Sequence, residues 1–307
     1  MELYKKYRPK TLEKVIGQNS AVLSLQKMEK TGGIPHTILF SGPSGCGKTT
    51  LARIVSRMVG CSDMDLQEKN CADFKGIDTV REIRNVMSSA PLSGKSRVWI
   101  IDEAHKLTND AQNAFLKILE DTPKHVYFFL CTTEPQKLIT TIRTRCTEIS
   151  VKPLSDTDLE KIIRRVCKLE KAEISDRILE KLIEVSGGSA RKALVFLNQI
   201  IGLPEEEQEK LLFSSTEALS IELARVLFKK GTRWQEVASL LRKLEKEDPE
   251  QIRWIVLGYA KSILLSGGPL AYRAYQVIRV FQDNWYDSKT AGLAVSCYEM
   301  IENTPKD

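Results

Sequence analysis

Two short motifs carry residue types that can bind and hydrolyse a nucleoside triphosphate, and the first is G-P-S-G-C-G-K-T. Its glycines let backbone N–H groups turn inward around phosphate oxygens, and the N-terminus of the following helix adds a partial positive charge. Lys48 is placed to reach the β- and γ-phosphates, and the Thr49 hydroxyl to coordinate Mg²⁺. The pattern predicts a P-loop that binds ATP. The predicted binding residues are Gly42, Pro43, Ser44, Gly45, Cys46, Gly47, Lys48, Thr49 and Thr50.

The second motif is an apolar run, residues 98–101, that ends in two carboxylates. Such a run predicts a strand buried on both faces of a parallel sheet, and the carboxyl end of the strand is where these sheets hold ligands. We expect Asp102 to hold the magnesium shell and Glu103 to polarise the attacking water. The alternative is a solvated acidic strand end. His105 completes D-E-A-H and is interpreted as a packing or supporting residue rather than a catalytic base.

Three further polar residues could complete a hydrolytic site. Thr133 follows the predicted strand 126–132, where its hydroxyl could bond the attacking water or the γ-phosphate, unless it only ends the strand. Arg145 precedes the last predicted strand and could stabilise transition-state charge on a neighbouring subunit's nucleotide. Arg191 opens a helix in G-S-A-R and could reach the γ-phosphate from there. The alternative for both arginines is a solvated side chain.

The elements that must position these residues alternate between short apolar runs and helical patterns over residues 1–152. That alternation predicts an α/β domain with a parallel sheet. Strands are predicted at 36–41, 97–102, 126–132 and 146–151, with a weak one near 67–72. The P-loop lies between the first strand and a helix at 48–59, which is the context that such a motif requires. A further helix begins near Thr108, Asn109 or Asp110 and ends before Pro123.

The rest of the chain is predicted to be helical. Residues 153–202 show helical spacing at 156–171, 176–185 and 190–201, and they are predicted to form a lid domain. Residues 203–307 carry no chemical motif and are predicted to form a third, all-helical domain. Trp234, Trp254 and Trp285 in this part are interpreted as core or interface anchors.

Composition limits the class of protein. The chain has 307 residues, a hydrophobic fraction of 42% and a formal net charge of +6, which permits nucleic-acid contact without requiring it. It has neither an apolar run long enough to cross a membrane nor an apolar signal core at its start. We therefore expect a cytoplasmic or nucleoid-associated protein without membrane contact. Seven scattered cysteines, never spaced C-x-x-C, argue against a disulfide framework.

Taken together, these motifs resemble those of the ATPase subunits of sliding-clamp loaders in the AAA+ superfamily. The strings T-T-E-P-Q-K-L and T-R-C are similar to those of the bacterial DNA polymerase III γ/τ subunit, whereas the length is closer to the replication factor C small subunit. Y-R-P-K-T-L followed by V-I-G-Q resembles the stretch that flanks adenine in that family. The residues this comparison adds to the nucleotide site are Tyr7, Arg8, Pro9, Val15 and Ile16.

The resemblance implies an α/β P-loop AAA+ core, an all-helical lid and an all-helical C-terminal oligomerisation (collar) domain. It implies an ATPase that uses ATP and Mg²⁺ to open a sliding clamp and load it onto primer–template DNA. The partners would be the clamp, the other loader subunits of a pentamer and the DNA. Candidate phosphate-contacting residues are Lys75, Arg81 and Arg84, unless they only form a solvated helix face.

The chain departs from the family in its cysteines. The bacterial subunit usually carries a four-cysteine zinc site after the P-loop helix, where this chain has only Cys61 and Cys71, too few for a closed site. Thr144 also replaces a serine of the family's S-R-C string, although Arg145 is kept. Two other functions stay open: another AAA+ DNA motor such as a branch-migration helicase, and a structural loader subunit that does not hydrolyse ATP.

Overall fold

The chain divides into two compact units in this computed structural model, which describes residues 2–31, 33–72, 76–213, 216–229 and 231–302. The first unit comprises Met1–Glu173 and Ser186–Gln199, and the second comprises Ile174–Val185 and Ile200–Asp307. This division does not set residues 153–202 apart as a unit. The scheme of three domains, 1–152, 153–202 and 203–307, therefore stays a prediction.

Five strands and fifteen α-helices occur among the described residues. The strands are β1 (Thr37–Ser41), β2 (Cys61–Asn70), β3 (Ser96–Asp102), β4 (Val126–Thr132) and β5 (Thr147–Ser150). The helices are α1 (Leu3–Lys6), α2 (Asn19–Lys30), α3 (Lys48–Met58), α4 (Ile77–Met87), α5 (Asn109–Glu120), α6 (Thr140–Arg145), α7 (Asp156–Glu170), α8 (Asp176–Ser186), α9 (Ala190–Ile200), α10 (Glu205–Phe213), α11 (Thr216–Phe228), α12 (Trp234–Lys243), α13 (Pro249–Ser266), α14 (Ala271–Val280) and α15 (Lys289–Glu302). No helix within the described ranges is long and apolar enough to cross a membrane.

The five strands form one parallel sheet in the order β2-β3-β4-β1-β5. Each crossover between parallel strands needs an intervening segment of a dozen or more residues, and helices supply it here. The predicted helix after β3 begins at Asn109, because the Thr108 hydroxyl accepts a hydrogen bond from the Ala111 N–H group and caps that end. The predicted α/β core with additional helices is confirmed.

Both faces of the sheet are buried, as the continuous apolar runs predict. Side chains alternate across the sheet with a period of two residues. Trp99 and Ile101 pack with α4 and α5 on one face, where Trp99 stacks on Phe128 at 5.4 Å between ring centroids. Val98 and Ile100 pack with α2 and α3 on the other face. The sheet is thus fixed between two helical layers, which makes its strand ends a rigid support.

The edge strand β2 is longer than the sequence indicated. The weak strand predicted near 67–72 is observed at Cys61–Asn70, with a register shift between Cys61 and Leu66. Residues 62–65 are polar or charged apart from Met64. The side chains of an edge strand pack against fewer neighbours than those of a central strand, so polar residues are tolerated there. Period-two alternation is therefore weak there, and the pattern gave no signal.

The two cysteines of this region, Cys61 and Cys71, are partly or fully buried. Burial raises the pKa of the Cys61 thiol to about 11 and that of Cys71 to about 12, so both are neutral thiols at physiological pH. Across the described part of the chain, no group of three or more His, Cys, Asp or Glu side chains has an arrangement that could hold a metal ion. Instead, the buried Asp65 carboxylate accepts hydrogen bonds from the Ser62 hydroxyl and from three backbone N–H groups of residues 92–94.

The second unit has a core of its own, built from α11 to α15. Trp285 lies in this core against Phe281, as predicted for a core anchor. Trp234 packs edge-to-face on Tyr298. Trp254 differs from both, because 63% of its surface is exposed, and the Arg253 guanidinium lies over its ring, 4.7 Å from the centroid.

One ion pair is buried in this unit. The Glu250 carboxylate accepts two hydrogen bonds from the Arg253 guanidinium, at 2.9 and 2.7 Å, and a third from the Trp285 N–H group. Arg253 also donates to the carbonyl oxygens of Phe281 and Gln282. The Arg253 guanidinium holds the pKa of Glu250 below its ordinary value. The pair ties the start of α13 to the segment between α14 and α15.

We predict that Arg253→Met lowers the free energy of unfolding of the second unit by about 3 kcal/mol, because it leaves a buried carboxylate without its partner. Urea denaturation followed by tryptophan fluorescence measures the change, since three of the four tryptophans lie in the second unit. Arg279→Met is the matched control, since Arg279 is an exposed arginine on α14 that contacts Tyr275. Its effect should stay within about 0.5 kcal/mol. Equal losses in the two variants would contradict a stabilising role for the buried pair.

Candidate nucleotide-binding site

The polar residues of both motifs meet at the carboxyl edge of the sheet. Ser41, the last residue of β1, pairs with Thr132 at the end of β4, and Ile101 of β3 pairs with Leu130. The loop after β1 and the carboxylates at the end of β3 must therefore lie beside each other. This is the edge at which parallel α/β sheets bind ligands.

The P-loop exposes the N-terminus of α3. Gly47 precedes the helix at φ 110°, a conformation that side-chain-bearing residues rarely adopt, and no side chain caps the helix. The Cβ of a residue at position 47 would project into open space, whereas one at position 45 would lie 2.1 Å from the Ser189 hydroxyl oxygen. The uncapped N–H groups and the dipole of an eleven-residue helix form an anion site.

Lys48 is buried, and its ammonium group is held inside the loop. Its Nζ atom donates to the carbonyl oxygens of Gly42 and Pro43, both at 2.8 Å. Burial lowers the pKa of Lys48, and the nearby acidic groups Asp102 and Glu103 act in the opposite direction. Gly42 and Pro43 thus contact Lys48 through these carbonyl groups, although neither residue lines the cleft described below.

Thr49 and Asp102 form the polar centre of the site. The Thr49 hydroxyl donates to Asp102 Oδ2 at 3.0 Å, and Asp102 Oδ1 accepts from the Glu103 N–H group at 3.0 Å. One carboxylate therefore fixes the first turn of α3 and the backbone of the second acidic residue. A hydroxyl and a carboxylate are hard oxygen ligands of the kind that Mg²⁺ takes together with phosphate oxygens.

Glu103 lies on a left-handed stretch of backbone, at φ 52° and ψ 41°. Its Oε2 atom is 3.5 Å from Nε2 of His105, which is also 3.3 Å from Oε1 of Glu134. The other ring nitrogen, Nδ1, lies 3.0 Å from the Thr132 hydroxyl. His105 thus contacts Glu103 without lining the cleft, in agreement with the interpretation of it as a supporting residue.

A cleft of about 1240 Å³, including its open mouth, lies entirely within the first unit. Its lining combines the P-loop, Asp102 and Glu103 with apolar and aromatic side chains. The predicted residues that line it are Tyr7, Arg8, Pro9, Val15, Ile16, Ser44, Gly45, Cys46, Gly47, Lys48, Thr49, Thr50, Asp102, Glu103 and Arg191. A lining of both kinds suits the phosphate and base parts of a nucleotide.

Gln18 connects the N-terminal wall of the cleft to the P-loop. Its amide donates to the Lys152 carbonyl oxygen at 2.6 Å and to that of Cys46 at 3.3 Å, and it accepts from the Lys152 N–H group.

Nearby, burial lowers the pKa of Arg8, and the positive charges of Arg53 and Arg191 act in the same direction. The cleft therefore has an excess of positive charge, which favours an anionic ligand.

Arg191 reaches the same cleft from α9. Its backbone N–H group donates to the Gly45 carbonyl oxygen at 3.3 Å, and its guanidinium lies 5.8 Å from the ring centroid of Tyr4. Both α9 and the P-loop belong to the first unit. Arg191 therefore lies near the P-loop, as its predicted contact with the γ-phosphate requires.

Other predicted residues lie outside the cleft. Thr133 is half-buried and does not line it, so its assignment stays a prediction. Arg145 is exposed at the end of α6 and donates to Glu120 and to the Thr141 carbonyl oxygen. Arg81 and Arg84 are exposed on α4, where Arg81 pairs with Asp78 at 3.0 Å. Lys75 lies outside the described residues.

Among the described residues, eleven more line the cleft, and four of them come from α7. The additional residues are Tyr4, Lys14, Gln18, Leu51, Leu154, Ile162, Arg165, Val166, Leu169, Ala190 and Leu194. On α7 the cleft-facing positions 162, 166 and 169 follow the helical spacing of three and four residues. This spacing predicts a helix, but an apolar position carries no mark that separates a core contact from a ligand contact.

Comparisons with known proteins identify relatives of this chain. Residues 72–155 match the family model described as DNA polymerase III, delta subunit, and residues 1–89 match that of the Rad17 P-loop domain. The Mycobacterium tuberculosis DNA polymerase III subunit gamma/tau is 35% identical over 224 residues, 66% of this chain and 39% of that protein. The Bacillus subtilis DNA polymerase III subunit tau is 30% identical over 291 residues, 86% of this chain and 51% of that protein. The chain thus spans about half or less of the length of these relatives.

Solved structures share the fold. The Thermotoga maritima RuvB Holliday junction branch migration motor matches with a TM-score of 0.57 and 23% identity. The match covers 72% of this chain and 78% of that one. Identity at this level shows a common P-loop fold and carries no information on the substrate.

We predict that Lys48→Met weakens ATP binding by roughly 30-fold, because it keeps the aliphatic stem and removes a charge-assisted hydrogen bond worth about 2 kcal/mol. Equilibrium titration with a fluorescent ATP analogue measures the affinity. Lys106→Met is the control, since Lys106 is exposed and does not line the cleft. An affinity that is unchanged in Lys48→Met would contradict the assignment of the P-loop.

Proposed function

Since this chain belongs to the AAA+ clamp-loader ATPase family that includes the DNA polymerase III gamma/tau subunits, we propose that it hydrolyses ATP to load a sliding clamp onto primer–template DNA. It would act as one subunit of a pentameric loader. ATP binding would assemble the subunits into a spiral that holds the clamp open. Hydrolysis would then release the clamp closed around the DNA.

The observation that carries this proposal is the single carboxylate that joins the two motifs. Asp102 holds the Thr49 hydroxyl with one oxygen and the Glu103 backbone with the other. A second carboxylate is thereby fixed beside the P-loop, in the cleft that the N-terminal residues line. A subunit that only bound ATP would not need an acidic residue held there.

Each residue has a distinct part in the proposed hydrolysis. Lys48 exchanges its two carbonyl partners for phosphate oxygens, and the first-turn N–H groups of α3 bind the same phosphates. Thr49 and Asp102 would hold Mg²⁺, which would neutralise charge that develops between the β- and γ-phosphates. Glu103 orients and polarises the attacking water, and Arg191 contacts the γ-phosphate from α9.

Arg145 is proposed to act on the ATP of a neighbouring subunit. It is exposed, it lies outside its own cleft, and its partners are the surface residues Glu120 and Thr141. An arginine supplied from a second subunit makes hydrolysis depend on correct assembly. This dependence would couple ATP turnover to the state of the whole loader.

DNA contact is proposed to be independent of sequence. A loader must act at any primer–template junction, and phosphate contacts fix position without reading bases. Arg81 and Arg84 are exposed on α4 and belong to the same unit as the nucleotide site. They remain our candidates for these contacts.

The likeness to the RuvB motor concerns the fold, whereas the relatives at 30–35% identity are named as DNA polymerase III gamma/tau or tau subunits. A branch-migration motor is therefore the weaker candidate function. The presence of Lys48, Thr49, Asp102 and Glu103 argues against a structural loader subunit that does not hydrolyse ATP. The mass of the assembly formed with a clamp and ATP would separate a pentamer from a hexameric motor.

Glu103→Gln should keep ATP affinity and lower turnover at least about 100-fold, because the loss of a base costs that much while the phosphate contacts stay. Steady-state hydrolysis and equilibrium binding are measured on the same preparation. Glu29→Gln, on the exposed side of α2, should change neither. Wild-type turnover in Glu103→Gln would remove this residue from the proposed role.

Arg145→Ala should leave ATP binding by the isolated chain unchanged and lower DNA- and clamp-stimulated hydrolysis by roughly 1000-fold at interfaces that depend on it. Arg143→Ala, on the same exposed helix, serves as the control. Mixing Arg145→Ala with Lys48→Met subunits should leave active only the interfaces where an intact arginine meets an intact P-loop. A loss of ATP affinity in the isolated Arg145→Ala chain would instead indicate action within one subunit.

Reversing charge at Arg81 and Arg84 together should reduce the salt dependence of DNA affinity by about two counterions, since each phosphate contact contributes about 0.9 to the slope on duplex DNA. DNA affinity is titrated at several salt concentrations with two unrelated primer–template sequences. Reversal at Lys161 and Lys168, two exposed lysines on α7, is the control. An unchanged slope would mean that the two α4 arginines face solvent.

A further inference from the structure

We propose that His105 is a positioning residue for Glu103, and that Glu134 competes with Glu103 for the hydrogen on its Nε2 atom. This inference rests on the proposed ATP hydrolysis, in which Glu103 polarises the attacking water. It assigns a role to two residues that the nucleotide site itself does not include.

The imidazole of His105 is enclosed between the ends of two neighbouring strands. Its side chain is 5% exposed, whereas the side chains of Glu103 and Glu134 are 30% and 36% exposed. Glu103 follows β3, and Glu134 follows β4 after one intervening residue. The ring therefore bridges the two strand ends from a buried position, with one nitrogen toward the carboxylates and the other toward Thr132.

The two carboxylates assign the proton on the ring. Carboxylate oxygens only accept hydrogen bonds, so Nε2 of His105, which faces both of them, carries a hydrogen. The Thr132 hydroxyl, which accepts from the Glu134 N–H group at 3.0 Å, has its own hydrogen available to donate to Nδ1. In the neutral ring, Nε2 then carries the only hydrogen. That hydrogen faces two carboxylate oxygens.

Neither carboxylate has completed a hydrogen bond with Nε2. The distances of 3.5 Å to Glu103 and 3.3 Å to Glu134 both exceed the range of 2.7–3.2 Å typical of N–H···O bonds. One hydrogen shared by two acceptors is pulled toward whichever acceptor moves closer. A small displacement of either carboxylate would thus complete one bond and lengthen the other.

The bond to Glu103 is the productive one. A base works best when a third group orients it, and a bond to Oε2 leaves the other carboxylate oxygen to accept from the water. Glu103 also lies on left-handed backbone, so its side chain leaves the strand end in a direction that regular strand geometry does not set. The contact with His105 supplies the missing restraint.

Glu134, the competing residue, lies at the start of the segment that leads to Arg145. Glu134 pairs with Lys137 at 2.8 Å, and α6 follows after two further residues. Stronger pairing of Glu134 with Lys137 would draw it away from His105 and leave the hydrogen to Glu103. The position of this segment would in this way set how firmly Glu103 is oriented.

Two variants of His105 distinguish the contributions of its two ring nitrogens. The amide nitrogen of His105→Gln reaches the position of Nε2, whereas His105→Asn replaces only Nδ1. Misplacement of a catalytic group by about 1 Å costs up to about 100-fold. We therefore expect kcat to fall roughly 10- to 100-fold in His105→Asn with KM and ATP affinity unchanged, and His105→Gln to recover most of the loss. Wild-type kcat in His105→Asn, or equal loss in both variants, would overturn the proposal.

Glu134→Gln tests the competition on an exposed residue, so its effect does not depend on the packing of the imidazole. The neutral amide oxygen of glutamine accepts a hydrogen bond more weakly than a carboxylate. If the wild-type hydrogen is shared about equally, weakening the competitor should raise basal turnover by up to about twofold. The increase should disappear when His105→Asn is also present. The same increase in both backgrounds, or none in the wild-type background, would contradict a shared hydrogen.

Nuclear magnetic resonance provides a readout that does not depend on hydrolysis. The chain has only three histidines, and His36 and His125 contact backbone carbonyl oxygens elsewhere. Nitrogen-15 spectra of the rings should show His105 as the Nε2–H tautomer and should shift its Nε2 signal in Glu134→Gln while the other two rings stay unchanged. An Nδ1–H tautomer, or no shift, would overturn the inference. If Glu134→Gln produces this shift yet the wild-type chain never hydrolyses ATP with clamp and DNA, the proposed function fails and the hydrogen bond stands.

Discussion

The parallel pairing of β1, β3 and β4 is the constraint on which the rest of the structure depends. Because these strands run in one direction, the loop after β1 and the carboxylates after β3 emerge at the same edge. The 3.0 Å bond between Thr49 and Asp102 follows from that arrangement. Helical layers bury both faces of the sheet, so the strand ends cannot move apart without exposing the core. A site that acts by positioning requires this rigidity.

The electrostatics of the cleft favour a polyanion. Lys48 is buried and carries a lowered pKa, and Arg8 is half-buried near two other arginines. The ammonium group is kept in place by two carbonyl oxygens of its own loop. Exchanging those acceptors for phosphate oxygens keeps the number of hydrogen bonds and adds an ionic attraction, which is why the loop can be formed in advance of its ligand.

The two units are stabilised by different kinds of residue. The first gathers charged and polar groups around one cleft, and they are kept in place by strand ends, uncapped helix dipoles and Gln18. The second contains no comparable motif and is stabilised by an apolar core and by the buried pair of Glu250 and Arg253. The proposed function would use both, because hydrolysis would require a fixed site and assembly would require a stable second unit. The segment from Glu134 to Arg145 contacts His105 at its first residue, and its last residue is exposed on the surface.

The sequence alone determined the parallel sheet, the P-loop and the positions of Asp102 and Glu103. Continuous apolar runs and a glycine-rich loop are local signals, because the backbone conformation they require is set by neighbouring residues. Residues 62–65 of β2, which are polar or charged apart from Met64, gave no such signal, since an edge strand is held by its partner rather than by its own pattern. Only the tertiary structure decided that Ile162 and Leu169 face the cleft and that His105 meets Glu103 and Glu134. These contacts join residues that are distant in the chain or that have no distinctive type, so no local pattern could encode them.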